Sequence, residues 1–177
     1  MTNPIERARK AIGKGVRYSL GCGGYHPSDE LPGRPVWRIP KGGLLPKKLV
    51  FCDCSGFVAW LIGRSRSPAS DFRWWLSTDS IWSDALGKHQ LFRKIDVAVP
   101  GCIAVYPDYK DNVTGKKHQG HVGLVVDPDK HIVIDCSSNP PDGISEHVQE
   151  VFWSHNHNTI FCEVVANGSK ESSNSHI

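Results

Sequence analysis

The spacing of apolar residues along the chain predicts a helical first half and a strand-rich second half. Near the N-terminus, Ile5, Ala8 and Ile12 recur at helical spacing. Asn3 is a suitable N-cap for this segment, and Pro4 suits the first helical position. We therefore expect a short helix to open the chain.

Two further helices are predicted before the strands begin. Asp53 is a good N-cap for a short helix over 54–62, whose apolar residues share one face. Ser77 caps another helix, which closes at Gly87. Glycine and proline are dense over residues 21–48, which predicts an irregular loop rather than a packed element.

The signals change from helix to strand after Gly87. Apolar runs separated by turn residues predict strands, over residues 97–106, 121–126, 131–136 and 159–165. Because helices come first and strands later, we expect an α+β fold in which N-terminal helices pack on a C-terminal antiparallel sheet.

The second and third of these strands form the most informative pair. Their even-numbered positions are apolar: Val122, Leu124, Val126, Ile132, Ile134 and Cys136. Strand side chains alternate between faces, and an Asp-Pro-Asp turn at 127–129 joins the runs, so we expect an antiparallel hairpin with both apolar rows on one core. A three-residue loop then places His121 directly opposite Asp135 on the more polar face, with Cβ atoms about 5 Å apart.

Composition narrows the class of protein. The chain has 177 residues, 39% of them hydrophobic, and 21 Lys and Arg against 18 Asp and Glu, a net charge of +3. This fits one globular domain, which we expect over 1–166, followed by a polar tail over 167–177. The charge is too small and too dispersed for a nucleic-acid-binding surface, so we expect no nucleic-acid partner.

Neither a membrane span nor a secretory signal is predicted. No run approaches the ~18 consecutive apolar residues of a spanning helix, so we do not expect an integral membrane protein. The N-terminal sequence MTNPIERARKAIGKG lacks the apolar core of a secretory signal. We therefore expect the chain to be made in the cytoplasm and to reach any target outside it by another carrier.

The cysteines are expected to be mostly reduced and structural. Six are present, an even number that could form disulfides in a small secreted domain. However, Cys102, Cys136 and Cys162 lie in apolar strand-like runs, where a free thiol behaves as a small hydrophobe. Cys52 and Cys54 have the spacing of half a metal site, but no second pair follows, and we expect no structural zinc.

Cys54 is the cysteine with candidate chemistry. It lies in the first turn of a predicted helix, where unpaired backbone amides and the helix dipole stabilise a thiolate. A thiolate, a nearby imidazole and a carboxylate that orients the imidazole form an activated nucleophile. His121 and Asp135 supply the last two groups in the predicted hairpin. His131, on the same face nearer the turn, is the competitor of Asp135 for the orienting role.

Four sequence motifs follow one another in a characteristic order. They are YSLG at 18–21 followed by Gly23-Gly24, DCSGFV at 53–58, PGCIAVY at 100–106 and GHVGLV at 120–125. The most specific feature is DCSGFV, whose cysteine precedes the histidine of HVG by 67 positions, from 54 to 121. This order of segments resembles the NlpC-like branch of the papain-like cysteine peptidases, many of which cut bacterial cell-wall peptides.

The resemblance implies a papain-like fold and a metal-free, cofactor-free mechanism. Cys54 would be the nucleophile, and His121 the general base and then the general acid. Asp135 matches the position of the third residue, where many members have a histidine. The implied activity is an endopeptidase that cleaves an amide between D-glutamate and a diamino acid in peptidoglycan stem peptides.

The resemblance also implies a substrate-binding group beside the nucleophile. In the family, the residues that match Tyr18, Asp53 and Ser55 can bind the free amine of a trimmed stem peptide. Asp53 is also an ordinary helix N-cap, and the two roles can coexist. The insertion of Cys22 and a long loop over 25–50 depart from the family pattern near Tyr18.

Alternatives remain open at this point. Related chemistry includes an N-acetylmuramoyl-L-alanine amidase and a lipid or protein acyltransferase, although acyltransferase relatives place the histidine before the cysteine and usually carry a membrane anchor. A non-catalytic wall-binding module is a third class.

A wall hydrolase without a secretory signal needs a phage or contact-dependent delivery system, with an unidentified delivery or immunity partner, or recycles wall fragments in the cytoplasm. Trp74 or Trp75 is expected to line the groove.

Overall fold

The three predicted helices begin where their N-caps predict. The computed structural model describes residues 3–33, 35–38, 45, 47–66, 75–154 and 157–165. Within this part of the chain the helices are α1 (Pro4–Ala11), α2 (Cys54–Leu61) and α3 (Thr78–Leu86). Asn3, Asp53 and Ser77 each accept a hydrogen bond from a first-turn amide, which confirms the three predicted N-caps.

The strands form three sheets in the described residues. A six-stranded antiparallel sheet has the order β10-β9-β8-β5-β11-β4, a three-stranded sheet has the order β1-β3-β2, and β6 pairs with β7. The fold is therefore mixed α+β with mostly antiparallel sheets, as predicted. The strands are β1 (Val16–Tyr18), β2 (Pro35–Arg38), β3 (Lys47–Cys52), β4 (Phe92–Ile95), β5 (Ile103–Tyr106), β6 (Tyr109–Lys110), β7 (Lys117–His118), β8 (His121–Asp127), β9 (Ile132–Ser137), β10 (Gly143–Val148) and β11 (Ile160–Val164).

The small sheet corrects the prediction of an irregular loop over 21–48. β2 lies within that segment, and β3 begins at its end. β1 pairs in parallel with β3, which sets Tyr18 beside Cys52, directly before the N-cap of α2. These short strands are held by pairing between distant segments, which local composition does not report. The small sheet therefore delivers Tyr18 to the start of α2.

Helix α2 lies in the main core of the protein. All eight of its residues are buried, and it packs against β8 and β9. The apolar rows of the predicted hairpin contribute Val122, Leu124, Ile134 and Cys136 to the same core. Both rows therefore face one core, as the alternation predicted.

The hairpin of β8 and β9 has a different register from the one predicted. Asp135 opposes Gly123 rather than His121, and the pairing shifts between Val125 and Asp127, where the ladder carries an irregularity. Because Asp135 is displaced by two positions, it keeps the same face of the sheet as His121. The predicted face is correct, whereas direct opposition of the two residues is wrong.

The face that carries His121 and Asp135 is not open to water. Val125 and Val133 on this face pack with Phe152 in a second, smaller cluster. Phe152 comes from a short 3-10 helix, Glu150–Phe152, which the sequence did not predict. Because Phe152 covers Val125 and Val133, side chains that the alternation assigns to the more polar face are buried.

Two further outcomes concern the ends of the chain and the membrane. The predicted tail, 167–177, lies outside the described residues. Across the part of the chain that is described, no helix is long and apolar enough to cross a bilayer.

Candidate active site

Cys54 is the first residue of α2, directly after the Asp53 cap. The first four amides of a helix have no partner within the helix, so the amide of Cys54 is available to a ligand. A Cβ atom at Gly56 would lie 2.5 Å from the carbonyl oxygen of Cys22, so only glycine allows this close approach. The glycine thus packs the start of α2 against the segment that follows β1.

The hydrogen bond between His121 and Asp135 forms diagonally across the hairpin. Nε2 of His121 lies 2.8 Å from Oδ2 of Asp135. The residue opposite Asp135 is Gly123, where an added Cβ atom would lie 3.3 Å from both Asp135 and Phe152. The absence of a side chain at Gly123 leaves room for the histidine ring to reach across. The predicted contact therefore forms despite the different register.

The imidazole of His121 also contacts the thiol of Cys54. Burial disfavours the imidazolium, but hydrogen bonds to Asp135 and to the Cys54 sulfur, together with their negative charges, raise the pKa of His121 to about 10. Since Nε2 is bonded to Asp135, Nδ1 is the ring nitrogen left to hydrogen-bond the sulfur. A ring protonated at neutral pH is the partner that a thiolate requires.

Aromatic side chains hold the His121 ring in place. Phe152 stacks on it with ring centroids 5.7 Å apart and an angle of 12° between the planes. Tyr106, which pairs with His121 across β5 and β8, lies 6.3 Å from the ring by centroids. Burial, followed by nearby negative charges that include Cys54, raises the pKa of Tyr106 to about 12, so its hydroxyl remains neutral.

Cys54 lines a cleft of about 270 Å³. Its walls come from the segment after β1, the start of α2, the start of α3 and the turn before β8. Its lining includes Tyr18, Asp53, Cys54, Ser55, Arg66 and Trp75. Trp75, one of the two tryptophans considered for the groove, lines the cleft, and Trp74 lies outside the described residues.

A larger, mostly apolar groove of about 640 Å³ lies elsewhere, between the start of α1, the end of α2 and the start of β5. Its cysteine is Cys102, whose pKa burial raises to about 11. A thiol with a raised pKa is a poor nucleophile at neutral pH. We therefore place the candidate chemistry in the smaller cleft, where Cys54 lies.

Asp53 is almost completely buried and fully hydrogen-bonded. It accepts from the amides of Gly21 and Gly56 at 2.7 Å each and from the hydroxyl of Ser55 at 3.1 Å. Nη1 of Arg66 lies 2.8 Å from each carboxylate oxygen. The N-cap role predicted for Asp53 is confirmed, and the carboxylate has a fixed counter-ion.

Arg66 was not anticipated from the sequence. Its side chain is 4% exposed, its Nη2 donates to Ser55 Oγ at 2.8 Å, and its Nε donates to the carbonyl of Leu76 at 3.0 Å. The guanidinium lies 4.6 Å from the ring centre of Trp75. Arg66 follows α2 in a segment without periodicity, so no local signal marked it.

Tyr18 lies half-buried at the same wall of the cleft. Its pKa is raised well above the ordinary value by burial and then by the negative charges of Cys54 and Asp53. The hydroxyl is therefore a neutral hydrogen-bond donor beside the nucleophile. The proposed amine-binding role of Tyr18, Asp53 and Ser55 stays a prediction.

His131 does not reach His121. It lies at the turn end of the hairpin, where its Nδ1 is 2.7 Å from Glu150 and its ring stacks on Trp153 at 4.4 Å. About 20 Å of strand separates the turn end of β8 from His121. The geometry therefore favours Asp135, rather than His131, as the group that orients His121.

A second imidazole, which the sequence did not indicate, lies beside Asp135. Nε2 of His147 in β10 is 3.6 Å from the same Oδ2 that bonds His121. Ser145, directly opposite Asp135, lies 3.1 Å from Nδ1 of His147 through its hydroxyl. β10 was not predicted as a strand, so His147 had no place in the predicted site.

All six cysteines are free, and five of them are buried. Cys52 belongs to β3, and burial followed by a hydrogen bond with Cys136 raises its pKa well above the ordinary value. Among the residues described, no group of three or more His, Cys, Asp or Glu side chains is arranged to hold a metal ion. Cys52 therefore has the surroundings of a core thiol.

No protein-family model matches the chain, and no curated protein matches it with significant similarity. The roles of Cys54, His121 and Asp135 accordingly depend on their chemistry and geometry. The family resemblance of the sequence motifs stays a prediction.

Proposed function

We propose that the chain is a cysteine hydrolase with a papain-like fold that cleaves an amide bond in the peptide part of peptidoglycan. The observation that carries the proposal is the contact of Cys54, at the start of a helix, with a partly buried imidazole that Asp135 holds at 2.8 Å. This arrangement has the three parts of an activated thiol nucleophile. The choice of peptidoglycan follows from the DCSGFV and HVG motifs.

The mechanism proceeds through a thioester. The Cys54 thiolate attacks the amide carbonyl and forms a sulfur–carbon bond, while the backbone amide of Cys54 hydrogen-bonds the oxyanion. The carbon–nitrogen bond then breaks, and the His121 imidazolium transfers its proton to the departing amine. Water next attacks the thioester with His121 as the base, and the sulfur leaves as thiolate. Asp135 stabilises the imidazolium in the resting enzyme.

The bond cleaved is proposed to lie between D-glutamate and a diamino acid. This assignment comes from the motif resemblance, and mass spectrometry of the released fragments tests it directly. A new amine on the diamino acid supports the endopeptidase, whereas a new amine on the first alanine would assign the chain as an N-acetylmuramoyl-L-alanine amidase instead.

Digestion of purified peptidoglycan tests the proposal. The parent protein should release soluble fragments, and Cys54→Ala should lower the rate at least about 1000-fold because no other group in the cleft replaces the nucleophile. Cys22→Ala is the matched control: Cys22 is also a free cysteine near α2, and its thiol donates a hydrogen bond to the Ser19 hydroxyl at 3.5 Å. Equal digestion by Cys54→Ala and the parent would refute the proposed mechanism, and no digestion by the parent would refute the substrate class.

A further inference from the structure

The charge state of the cleft beside Cys54 bears on which substrates it accepts. A peptide with a free N-terminus carries an ammonium group, which requires an anion or several open acceptor lone pairs in a binding site. Asp53 is the buried carboxylate that lines the cleft. Its availability therefore decides whether an amine can be held next to the nucleophile.

The carboxylate of Asp53 has no acceptor capacity to spare. A carboxylate offers about four lone-pair sites, and Asp53 already accepts five hydrogen bonds, from Gly21, Gly56, Ser55 and twice from Arg66. A substrate ammonium would have to displace at least one of these donors. It would also have to be desolvated beside a guanidinium of the same charge, which is unfavourable.

Ser55 is occupied in the same way. Its hydroxyl donates to Asp53 at 3.1 Å and accepts from Nη2 of Arg66 at 2.8 Å. Arg66 thus occupies the site at which Asp53 and Ser55 would otherwise bind a cationic ligand. The ion pair of Asp53 and Arg66 therefore carries no net charge on this wall of the cleft. Tyr18 adds an uncharged hydrogen-bond donor to the same wall.

Two other carboxylates line the cleft on the side of α3. Asp79 accepts from the amide of Asp108 at 2.8 Å, and Asp108 accepts from the amide of Gly120 at 2.6 Å. Both side chains are exposed to solvent. An ion pair with an exposed carboxylate contributes about 0–1 kcal/mol. These residues therefore do not replace Asp53 as a strong amine site.

We propose that the cleft takes stem peptides whose first nitrogen is acylated, as in wall peptides still attached to their sugar, rather than trimmed peptides with a free amine. This inference rests on the proposed hydrolase function and names the substrate class of the same site. It favours action on intact peptidoglycan over recycling of trimmed fragments. Arg66 is the residue that sets this preference, because it neutralises Asp53.

The test compares two peptides of one sequence, L-alanyl-γ-D-glutamyl-diamino acid, with a free and with an acetylated N-terminus. For the parent protein we expect kcat/KM for the acetylated peptide to equal or exceed that for the free peptide. A preference of the parent for the free amine by about threefold or more would overturn the inference while leaving the proposed function intact. Cleavage of neither peptide would refute the proposed function, and the inference with it.

Two variants identify the cause of the preference. Arg66→Gln leaves the Asp53 carboxylate without its counter-ion, and we expect the ratio of kcat/KM to move about tenfold toward the free peptide, roughly 1.4 kcal/mol. Asp53→Asn/Arg66→Gln is the matched control, since it keeps the N-cap and removes both charges. The double variant should return to the ratio of the parent. An unchanged ratio in a folded Arg66→Gln protein would overturn the role of Arg66, and if that variant does not fold, the parent comparison decides.

Discussion

Two buried carboxylates of the candidate site, Asp53 and Asp135, differ in how completely they are paired. Asp53 is 1% exposed, and Asp135 is 0% exposed. Asp53 is bonded by two backbone amides, a hydroxyl and a guanidinium. Within the described structure, Asp135 has one oxygen next to two imidazoles and another, Oδ1, with no hydrogen-bond partner.

In the proposed mechanism, this difference separates an ion pair that stabilises the fold from one that takes part in proton transfer. Arg66 carries a permanent charge, so the charge of Asp53 is balanced in every step of a reaction. The charge of Asp135 is balanced only when an imidazole beside it is protonated. Asp135 therefore favours the protonated form of His121, which is the form that accompanies a thiolate and donates a proton to a leaving amine.

Among substitutions at the two carboxylates, we expect the largest effect at Asp135, and we expect it on turnover. Asp135→Asn keeps the shape and an acceptor oxygen for Nε2 of His121 but removes the negative charge, so we expect kcat to fall by about 100- to 10,000-fold. The unfolding free energy should also fall, because the protonated His121 loses a buried counter-ion. Steady-state kinetics and urea unfolding measure the two quantities, and a rate within a few fold of the parent would return the orienting role to another group.

The pH profile gives the same substitution a second readout. His121, with a pKa of about 10, is protonated below that value, so kcat/KM of the parent should fall as the pH rises through about 10. Removing the charge of Asp135 takes away one cause of the raised pKa. The alkaline limb of Asp135→Asn should therefore move to lower pH, and an unmoved limb would contradict the assigned interaction.

A smaller effect, on stability rather than turnover, is expected at the other carboxylate. Arg66→Gln leaves the buried Asp53 carboxylate without a counter-ion. We therefore expect the free energy of unfolding to fall by about 3 kcal/mol, as measured by urea unfolding. Asp53→Asn/Arg66→Gln should recover most of this loss, because no uncompensated charge remains. If both variants are equally destabilised, the loss comes from packing of the Arg66 side chain rather than from the ion pair.

The sequence predicted the parts of the site that have local signals. A cap residue followed by a cysteine at a helix start identified Cys54 and Asp53, and the alternation of two strands put His121 and Asp135 on one face. The direct pairing of these two residues was wrong because the turn holds four residues, 128–131, rather than three, so that Asp127 pairs with Ile132. The irregularity between Val125 and Asp127 then shifts the ladder by one residue and returns Asp135 to the face of His121. No pattern of apolar positions reports the length of the turn or such a shift.

Residues that depend on tertiary placement were missed. Arg66 lies outside regular structure, and it reaches Asp53 only because the chain folds back over the start of α2. His147 lies on β10, whose sequence GISEHV does not alternate clearly. Phe152 comes from a single 3-10 turn, which is too short to give a periodic signal. Each contributes through long-range contacts that local patterns do not encode.

Iodoacetamide alkylation near pH 6 tests most directly whether His121 keeps Cys54 ionised. Peptide mass spectrometry measures the rate at which each cysteine reacts. Alkylation requires a thiolate, so we expect Cys54 to react at least about tenfold faster than Cys22, which is more exposed to solvent. His121→Ala should abolish this difference, because the imidazolium that stabilises the thiolate is gone. Reaction of Cys54 no faster than Cys22, or equal reactivity with and without His121, would contradict the central claim.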